Sequence, residues 1–373
     1  MTSPSLAGAP GVLTIDLAAL GENWRILARR AAPGQCAAVI KANAYGLGIE
    51  VVAPALYAAG CRTFFVAQLS EGRRARAVLP QGDARLYVLN GLEDAADPLA
   101  DYAAHRLAPV IGSAGELARW AAIAVPPPCA LHLDTGMNRL GFESLQALRA
   151  AVDQCGASGI ADLLMSHFVS SEAPDDPLNA LQIARFEEAR AAFPRLAASL
   201  ANSSGLFLAA RPAFDLARPG YALYGGNPTP GAQNPMRSVL TLDVAIQQTR
   251  WIETGETCGY NGQWTARRRT RLATLLAGYA DGLPRGAGGV DAQAGAQVII
   301  ADQRCPLVGR VSMDLCIADV TDLPEDATRP GGVARFLGAE IGIDELAEGA
   351  GTIGYPVLTS LGARYARRVV GGV

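Results

Sequence analysis

Short apolar runs rich in β-branched residues alternate with amphipathic stretches between residues 36 and 225, and this alternation constrains the fold more than any other feature. The candidate strands are Ala38–Lys41, Thr63–Ala67, Leu86–Leu89, Leu107–Ile111, Ala130–Asp134, Asp162–His167, Ser199–Asn202 and Asp215–Tyr224. The candidate helices include Ile49–Ala59, Ser70–Leu79, Ser113–Val125 and Leu178–Ala198, with start signals at Ser70 and Ser113 and a stop signal at Gly60. Eight strand–helix repeats predict an α/β fold, a (β/α)8 barrel of the TIM type. An open doubly wound sheet is the alternative, but the GxGxxG motif is absent where that fold requires it, directly after an early strand of the repeat.

The pattern changes after the segment Asn227-Pro228-Thr229-Pro230. From there on, short alternating strands and turns dominate, with candidate strands Val239–Trp251, Arg271–Leu276, Val298–Ala301 and Leu307–Val320 and one candidate helix, Ile343–Glu348. We therefore expect a barrel domain over residues 12–235 and a mostly β C-terminal domain over residues 236–373. The earliest strand, Val12–Asp16, precedes the barrel pattern and is a candidate to pair with the C-terminal domain.

Composition excludes several classes of protein. Of the 373 residues 50% are hydrophobic and 18% are charged, which favours a folded globular chain over disorder. A net charge of -3 gives no reason to expect nucleic acid or an acidic membrane as partner. The seven cysteines contain no CxxC pair and the three histidines no HxH or HxxxH pair, so we expect no metal. Because no basic residue precedes Arg25 and no apolar run is long enough to span a membrane, we expect a cytoplasmic protein.

The strongest local signal is a lysine at the end of the first barrel strand, in Val39-Ile40-Lys41-Ala42-Asn43. A buried ammonium is costly, so a lysine there must be paired, deprotonated or covalently engaged. A Schiff base with the aldehyde of a cofactor satisfies these conditions. The alternative is a lysine whose amine simply reaches out of the strand end into solvent.

Other polar residues follow the ends of later strands, where the active site of a barrel enzyme lies. They are Asp134 and Arg139 after strand five, His167 at the end of strand six, Asn202-Ser203-Ser204 after strand seven and Arg218-Pro219-Gly220-Tyr221 in strand eight. Hydroxyls and a glycine near strands seven and eight are typical of a barrel phosphate site. A lysine combined with a phosphate site indicates a phosphorylated aldehyde, and pyridoxal 5'-phosphate is the obvious candidate.

Eight strings resemble alanine racemases, which are fold-type III pyridoxal-phosphate enzymes: VIKANAYGLG, DTGMNRLG, SHFVSSE, ANSSG, RPGYALYG, CGYNG, GYADG and GRVSMD. The resemblance runs from about residue 12 to the end of the chain. It implies a barrel followed by a β domain, a homodimer with composite active sites, and the interconversion of L- and D-alanine on pyridoxal phosphate by two bases. In this family D-alanine is made for peptidoglycan.

The resemblance also implies a role for each site residue. Lys41 carries the cofactor and is the base on the D-alanine side, and Tyr260 of the partner subunit is the base on the L-alanine side. Arg218 faces the pyridine nitrogen, and His167 bonds to Tyr260 and Arg218. The phosphate contacts are Tyr45, Ser203, Gly220, Tyr221 and Tyr355. Arg139 contacts the cofactor's phenolic oxygen and the substrate carboxylate, and Met313 and Tyr279 of the partner subunit narrow the entrance.

The sequence departs from the family pattern at two positions. Many relatives carry a carbamylated lysine where this chain has His132, so Arg139 must find another partner: a chloride, water or a nearby carboxylate. Tyr355 is followed by Pro356 where an acidic residue is common.

Three other functions remain open at this point. A broad-specificity racemase for serine or lysine has the same fold. A single-domain pyridoxal-phosphate homeostasis protein has no β domain and no counterpart of Tyr260. Decarboxylases of the same fold family use a cysteine in the second domain, which directs attention to Cys316. Outside the resemblance, Tyr260 is a tyrosine in a glycine-rich turn, and His167 can be a packed core histidine.

Overall fold

The structure is a computed structural model that describes residues 8–80, 82–92, 98–123, 127–156 and 159–372. The chain divides into two compact units. The barrel unit comprises Gly21–Leu223 and Asn227–Met236, and the β unit comprises the described residues of Met1–Leu20, Tyr224–Gly226 and Arg237–Val373. In the described part of the chain no helix is both long and apolar enough to cross a membrane.

The strands, in chain order, are β1 (Gly11–Asp16), β2 (Gln35–Cys36), β3 (Ala38–Val39), β4 (Thr63–Val66), β5 (Arg85–Val88), β6 (Ala108–Ile111), β7 (Cys129–His132), β8 (Ala161–Met165), β9 (Ala197–Ser199), β10 (Leu216–Ala217), β11 (Leu240–Ile252), β12 (Thr257–Cys258), β13 (Trp264–Thr265), β14 (Thr270–Leu275), β15 (Gln297–Ile300), β16 (Gln303–Pro306), β17 (Cys316–Asp319), β18 (Val333–Leu337) and β19 (Ala366–Val370). The helices are α1 (Leu17–Ala31), α2 (Lys41–Tyr45), α3 (Ile49–Ala59), α4 (Leu69–Val78), α5 (Pro98–Ala104), α6 (Ala114–Ala121), α7 (Leu145–Gln154), α8 (Pro177–Ala192), α9 (Ile343–Gly349) and α10 (Gly354–Thr359). Short 3₁₀ turns connect several of them.

The barrel unit is built on parallel strands that follow one another in chain order. Strands β3 to β9 form one seven-stranded sheet, and β10 pairs with β2 immediately before β3. The amide of Arg218 donates to the carbonyl of Ala201, and the amide of Ala37 donates to the carbonyl of Ala217. The eighth strand therefore bonds to both the seventh and the first, and the sheet closes into the predicted barrel. The doubly wound alternative is wrong.

Several predicted boundaries in this unit are wrong, for local reasons. The eighth strand ends at Ala217 instead of Tyr224, because Pro219 has no amide hydrogen to donate and Tyr221–Tyr224 is a 3₁₀ helix. The predicted helix Leu178–Ala198 ends at Ala192, since Pro194 follows and β9 begins at Ala197. Helix α3 matches its prediction.

Two of the three predicted cap residues, Ser113 and Gly60, are confirmed, and the third, Ser70, is wrong. Ser113 caps α6 by accepting from the amide of Glu116, and Gly60 ends α3 with a φ of 118°. Ser70, in contrast, lies inside α4, whose cap is Gln68 in a capping box with Glu71.

The β unit contains one large sheet in the order β16-β15-β18-β11-β1-β19, to which β14 and β17 are joined through β11. Strand β1 runs antiparallel to β11 and parallel to β19, so the earliest strand of the chain pairs within this unit.

Two predictions for the β unit are wrong. The predicted strand Leu307–Val320 does not exist as one piece, because Gly309 adopts a φ of 70° and Ser312 closes a turn onto Leu315; only Cys316–Asp319 forms a ladder. The predicted helix at Ile343 is present as α9, but a second helix, α10, follows it.

Candidate active site

Lys41 stands directly after β3, where the chain enters a left-handed turn. The four residues Ala42, Asn43, Ala44 and Tyr45 have φ between 52° and 54°, a conformation that costs an L-residue roughly 1–2 kcal/mol each. Backbone bonds close the turn, from Ala44 to the carbonyl of Ile40 and from Gly46 to that of Ala42, both 2.9 Å long. Such strain persists only where the surroundings hold it, and it is common at functional sites.

The electrostatics of the site favour a neutral amine on Lys41. Burial lowers the pKa of Lys41, the positive charge of Arg139 lowers it further, and so does Arg218. Glu71 acts in the opposite direction and raises the pKa. A lysine with a lowered pKa is a nucleophile for an aldehyde and a base for a carbon acid.

Arg218 lies buried after β10 and is held by three acceptors. It donates to the Ser199 hydroxyl at 2.5 Å, to the Ser166 carbonyl at 2.5 Å and to Nδ1 of His167 at 3.5 Å. Because arginine only donates, Nδ1 must accept and the His167 proton is placed on Nε2. Burial lowers the pKa of Arg218 to about 9, so the guanidinium stays charged at neutral pH.

His167 is held neutral beside this arginine. Burial lowers its pKa well below the ordinary value, and the nearby charges of Arg218 and Lys41 act in the same direction. Its carbonyl accepts from the Gln182 amide at 2.9 Å, which fixes the strand end. The predicted contact between His167 and Arg218 is thus present, while the predicted bond to Tyr260 is untested.

A cradle formed by Ser203, Gly220 and the Tyr45 side chain lies beyond strands β9 and β10, and its hydroxyls suit a phosphate group. The Ser203 hydroxyl accepts from the amides of Gly220 and Ala222 at 3.1 and 3.2 Å, which leaves its own hydrogen to donate. The Tyr45 hydroxyl lies so close to Gly220 that a Cβ at that position would collide with it. Tyr221 begins the following 3₁₀ helix and is buried. These donors suit the phosphate of pyridoxal phosphate.

Arg139 and His132 lie at the end of β7 without the partner seen in the family pattern. Asp134 accepts from the amides of Gly136 and Met137, which closes a turn just before Arg139. Among the residues that the structure describes, the exposed Arg139 side chain forms no ion pair or hydrogen bond. Burial lowers the pKa of His132 to about 4, so this histidine adds no charge at neutral pH. The nearby-carboxylate alternative for Arg139 is therefore not realised within the described chain.

The β unit presents the remaining predicted residues on its surface. Tyr260 is 62% exposed, Met313 54% and Tyr279 44%. Tyr260 follows Gly259, whose φ of 75° brings the backbone against the amide of Arg310. Tyr279 and Met313 are neighbours, because the amide of Ala280 donates to the Met313 carbonyl at 3.0 Å.

The segment that carries Tyr279 and Met313 is fastened by one arginine. Arg364 binds both oxygens of the buried Asp281 at 2.6 and 2.8 Å and also binds Asp314 at 2.7 Å. Asp314 therefore fixes its turn through Arg364.

The structure also gives the positions of Tyr355, Pro356 and Cys316. Tyr355 and Pro356 lie in the first turn of α10, with Tyr355 half-buried. Cys316 is buried in β17, where burial raises the pKa of its thiol, so it is not an exposed decarboxylase-type group.

Sequence reasoning missed Glu71, which holds the turn after Lys41. It also missed the Ser199 hydroxyl and the Ser166 carbonyl, which accept hydrogen bonds from Arg218. The sequence does contain one signal that points to the site as a whole: Lys41 is the only lysine among the 32 Lys and Arg residues of the chain.

Comparison with known proteins agrees with this geometry. The family models "Alanine racemase, N-terminal domain" and "Alanine racemase, C-terminal domain" match residues 15–228 and 239–369. The chain belongs to the alanine racemase family. It is 51% identical to an alanine racemase of Methylobacterium nodulans, over 100% of this chain and 99% of that protein. It is 48% identical to an alanine racemase of Rhodospirillum rubrum, over 98% of this chain and 97% of that protein.

A solved structure resembles this family member throughout. The alanine racemase of Bartonella henselae, described with covalently bound pyridoxal phosphate, superimposes with a TM-score of 0.88 at 35% identity and covers 97% of this chain and 100% of its own. The presence of both units disfavours the single-domain homeostasis proteins.

Proposed function

We propose that this member of the alanine racemase family interconverts L- and D-alanine on pyridoxal phosphate, with Lys41 and Tyr260 as the two bases. One observation carries the proposal: the only lysine of the chain follows barrel strand β3, with an Arg218–His167 pair and a phosphate cradle in the same unit. Membership of the alanine racemase family supports alanine as the substrate.

The residues divide the work by their chemistry. When bound, pyridoxal phosphate supplies an electron-withdrawing ring that makes the Cα proton of the amino acid acidic. Lys41 holds the cofactor aldehyde when no substrate is present, and it exchanges the Cα proton on the D-alanine side. Tyr260 exchanges the Cα proton on the opposite side. Arg139 binds the substrate carboxylate.

Arg218 sets the electronic character of the site. Its three acceptors fix the guanidinium, and it keeps its proton at neutral pH, so it would donate a hydrogen bond to the ring nitrogen of a bound cofactor without transferring the proton. Arg218 would thereby keep the ring a weaker electron acceptor and limit side reactions such as transamination. His167 supports Tyr260 through the Nε2 hydrogen.

The test is an alanine racemisation assay with borohydride fixation of the cofactor. Reduction should leave a pyridoxyl group on Lys41. Because the chain has no other lysine, peptide mapping needs only to distinguish this adduct from one on the N-terminal amine. Lys41→Ala should lose this adduct and essentially all racemisation. Parallel assays with serine and lysine check the specificity, and a higher rate with either one would refute the choice of alanine.

We further propose a homodimer in which Tyr260, Tyr279 and Met313 of one subunit complete the site of the other. The exposure of these three side chains leaves them accessible to a partner subunit, as the family resemblance requires. Mixing Lys41→Ala subunits with Tyr260→Phe subunits should restore activity, since one composite site of each mixed dimer is wild type. Failure of the mixture to gain activity, despite verified subunit exchange, would mean that Tyr260 acts in its own chain.

We also propose a cytoplasmic location, where the enzyme supplies D-alanine for peptidoglycan. All seven cysteines are free and six are buried, which suits a reducing compartment. Fractionation of the producing cells tests this directly.

A further inference from the structure

The turn after Lys41 needs an external fastening. Four consecutive non-glycine residues hold left-handed dihedrals, which together cost on the order of several kcal/mol. The backbone hydrogen bonds inside the turn have ordinary lengths of 2.9 Å, so they alone do not explain how the strain is held. Something outside the turn must therefore keep the residues next to Lys41 in this conformation.

Glu71 of α4 provides one fastening. Its Oε1 accepts from the amide of Asn43, in the middle of the turn, at 3.0 Å. Its Oε2 accepts from the amides of Ala67 and Gln68 at 2.9 and 3.3 Å, which ties the carboxylate to the start of its own helix. The half-buried carboxylate thus links two βα loops.

Arg74 provides a second fastening from the same face of α4. Its guanidinium donates to the side-chain oxygen of Asn43 at 2.6 Å and binds both oxygens of Glu50 at 2.7 and 2.8 Å. The same Asn43 oxygen accepts from the amide of Ile49. Asn43 is therefore held through its main chain by Glu71 and through its side chain by Arg74.

Glu71 also contributes charge to the surroundings of Lys41. The charged or titratable groups that act on or with Lys41 are Glu71 on α4, Arg139 after β7, His167 after β8 and Arg218 after β10. Arg139 and Arg218 are positive, and burial keeps His167 neutral. Glu71 is the carboxylate of this group.

We propose that Glu71 is a positioning residue for Lys41, which fastens the strained turn directly after the lysine and supplies the negative charge that balances the two arginines. This inference rests on the proposed role of Lys41 as the cofactor lysine. It adds a residue outside the proposed substrate and phosphate contacts.

A generic role must be separated from this one, and the chain contains the matched comparison. Glu116 occupies the third position of α6, as Glu71 does in α4. Its carboxylate accepts from the amide of Gly112 at the start of its own helix and from the amide of Leu92 in the preceding βα loop, both at 2.9 Å. The Glu116 carboxylate therefore links two βα loops in the same way, but the loop that it binds contains no lysine.

The experiment measures the pKa of Lys41 without cofactor or substrate. The full-length chain, freed of cofactor by treatment with hydroxylamine followed by dialysis, is labelled with trace acetic anhydride from pH 6 to 11, and acetylation of the Lys41 peptide is followed by mass spectrometry. Glu71→Gln keeps the side-chain length and removes the charge. Since Glu71 raises the pKa of Lys41, the midpoint should move to lower pH, by about 0.5–1 unit for a partly exposed pair. Glu116→Gln should leave the midpoint at its wild-type value.

The fastening is tested by the rate of pyridoxal phosphate uptake, followed by absorbance. Glu71→Ala removes both charge and hydrogen bonds, so uptake should slow at least about tenfold even at a pH where Lys41 is fully neutral, whereas Glu116→Ala should take up the cofactor normally. A Glu71→Gln midpoint equal to that of wild type overturns the charge role, and an unchanged uptake rate in Glu71→Ala overturns the fastening role. If pyridoxal phosphate fails to protect wild-type Lys41 from acetylation, the proposed role of Lys41 itself fails, and the midpoint comparison still reports on Glu71.

Discussion

Gly220→Ala should weaken cofactor binding through a steric contact that the structure defines. A Cβ on Gly220 would collide with the Tyr45 hydroxyl and lie 3.0 Å from Tyr45 Cζ and 3.3 Å from Val39 Cβ. Gly220 has no positive φ, so alanine introduces no backbone strain, and the effect comes from crowding alone. The tyrosine must therefore move out of the cradle.

The expected magnitudes follow from the two consequences of that movement. Crowding of a well-packed site costs about 1–3 kcal/mol of unfolding free energy. If Tyr45 binds the phosphate as predicted, displacing its hydroxyl removes one charge-assisted bond worth about 1.5–3 kcal/mol, which corresponds to roughly tenfold to a hundredfold weaker binding. Titration of the cofactor-free chain with pyridoxal phosphate measures the second quantity, and denaturant unfolding measures the first.

A double variant separates the two effects. In Gly220→Ala combined with Tyr45→Phe the hydroxyl is gone, so the crowding is partly relieved and stability should recover relative to Gly220→Ala alone. Affinity should stay low, because neither variant offers the hydroxyl. Wild-type affinity in Gly220→Ala would show that Gly220 and Tyr45 do not form the phosphate cradle, and the reasoning would be refuted.

The remaining predictions concern the bases, a histidine and an anion. Tyr260→Phe should lower turnover in both directions but give different solvent isotope effects from L- and D-alanine; identical effects would favour a single base. His132 has a folded pKa of about 4 against about 6.5 unfolded, so the unfolded chain binds more protons between these values and stability falls as pH drops through that window, by about 3 kcal/mol at most. His132→Asn should flatten this decline in denaturant titrations. Arg139 should bind a small anion, so alanine KM should rise when chloride is replaced by a bulky anion; an unchanged KM would refute this.

The barrel was predictable because its signal is repeated and long. Strands of the barrel are buried on both faces, so each reads as a short apolar run, and eight such runs at regular spacing leave few alternatives. The errors fall where one residue overrides a pattern. Pro219 ends a ladder that the apolar sequence would continue, and Gly309 breaks an apolar stretch that reads as a single strand.

The left-handed turn after Lys41 was not predictable from local preference. Ala42, Ala44 and Tyr45 favour right-handed helix or extended chain; Asn43 alone of the four adopts left-handed dihedrals readily, and the glycine, Gly46, comes only after them. The bonds that hold the turn come from Glu71 and Arg74, about thirty residues further along the chain, through Asn43. A capping glutamate in the first turn of a helix is common, so nothing in the sequence of α4 distinguishes Glu71 from Glu116.

The choice between lysine and arginine explains the arrangement of charge in the site. Arginine keeps its proton, so Arg218 and Arg139 supply permanent positive charge where the ring and the carboxylate are expected to bind. A covalent link to an aldehyde requires an amine that can lose its proton, and in this chain only Lys41 can do so from a side chain. The same two arginines lower the pKa of Lys41, which helps the amine to become neutral but weakens it as a base for carbon. A carboxylate that opposes them, on a separate helix, allows the site to keep both arginines without making the lysine too weak a base.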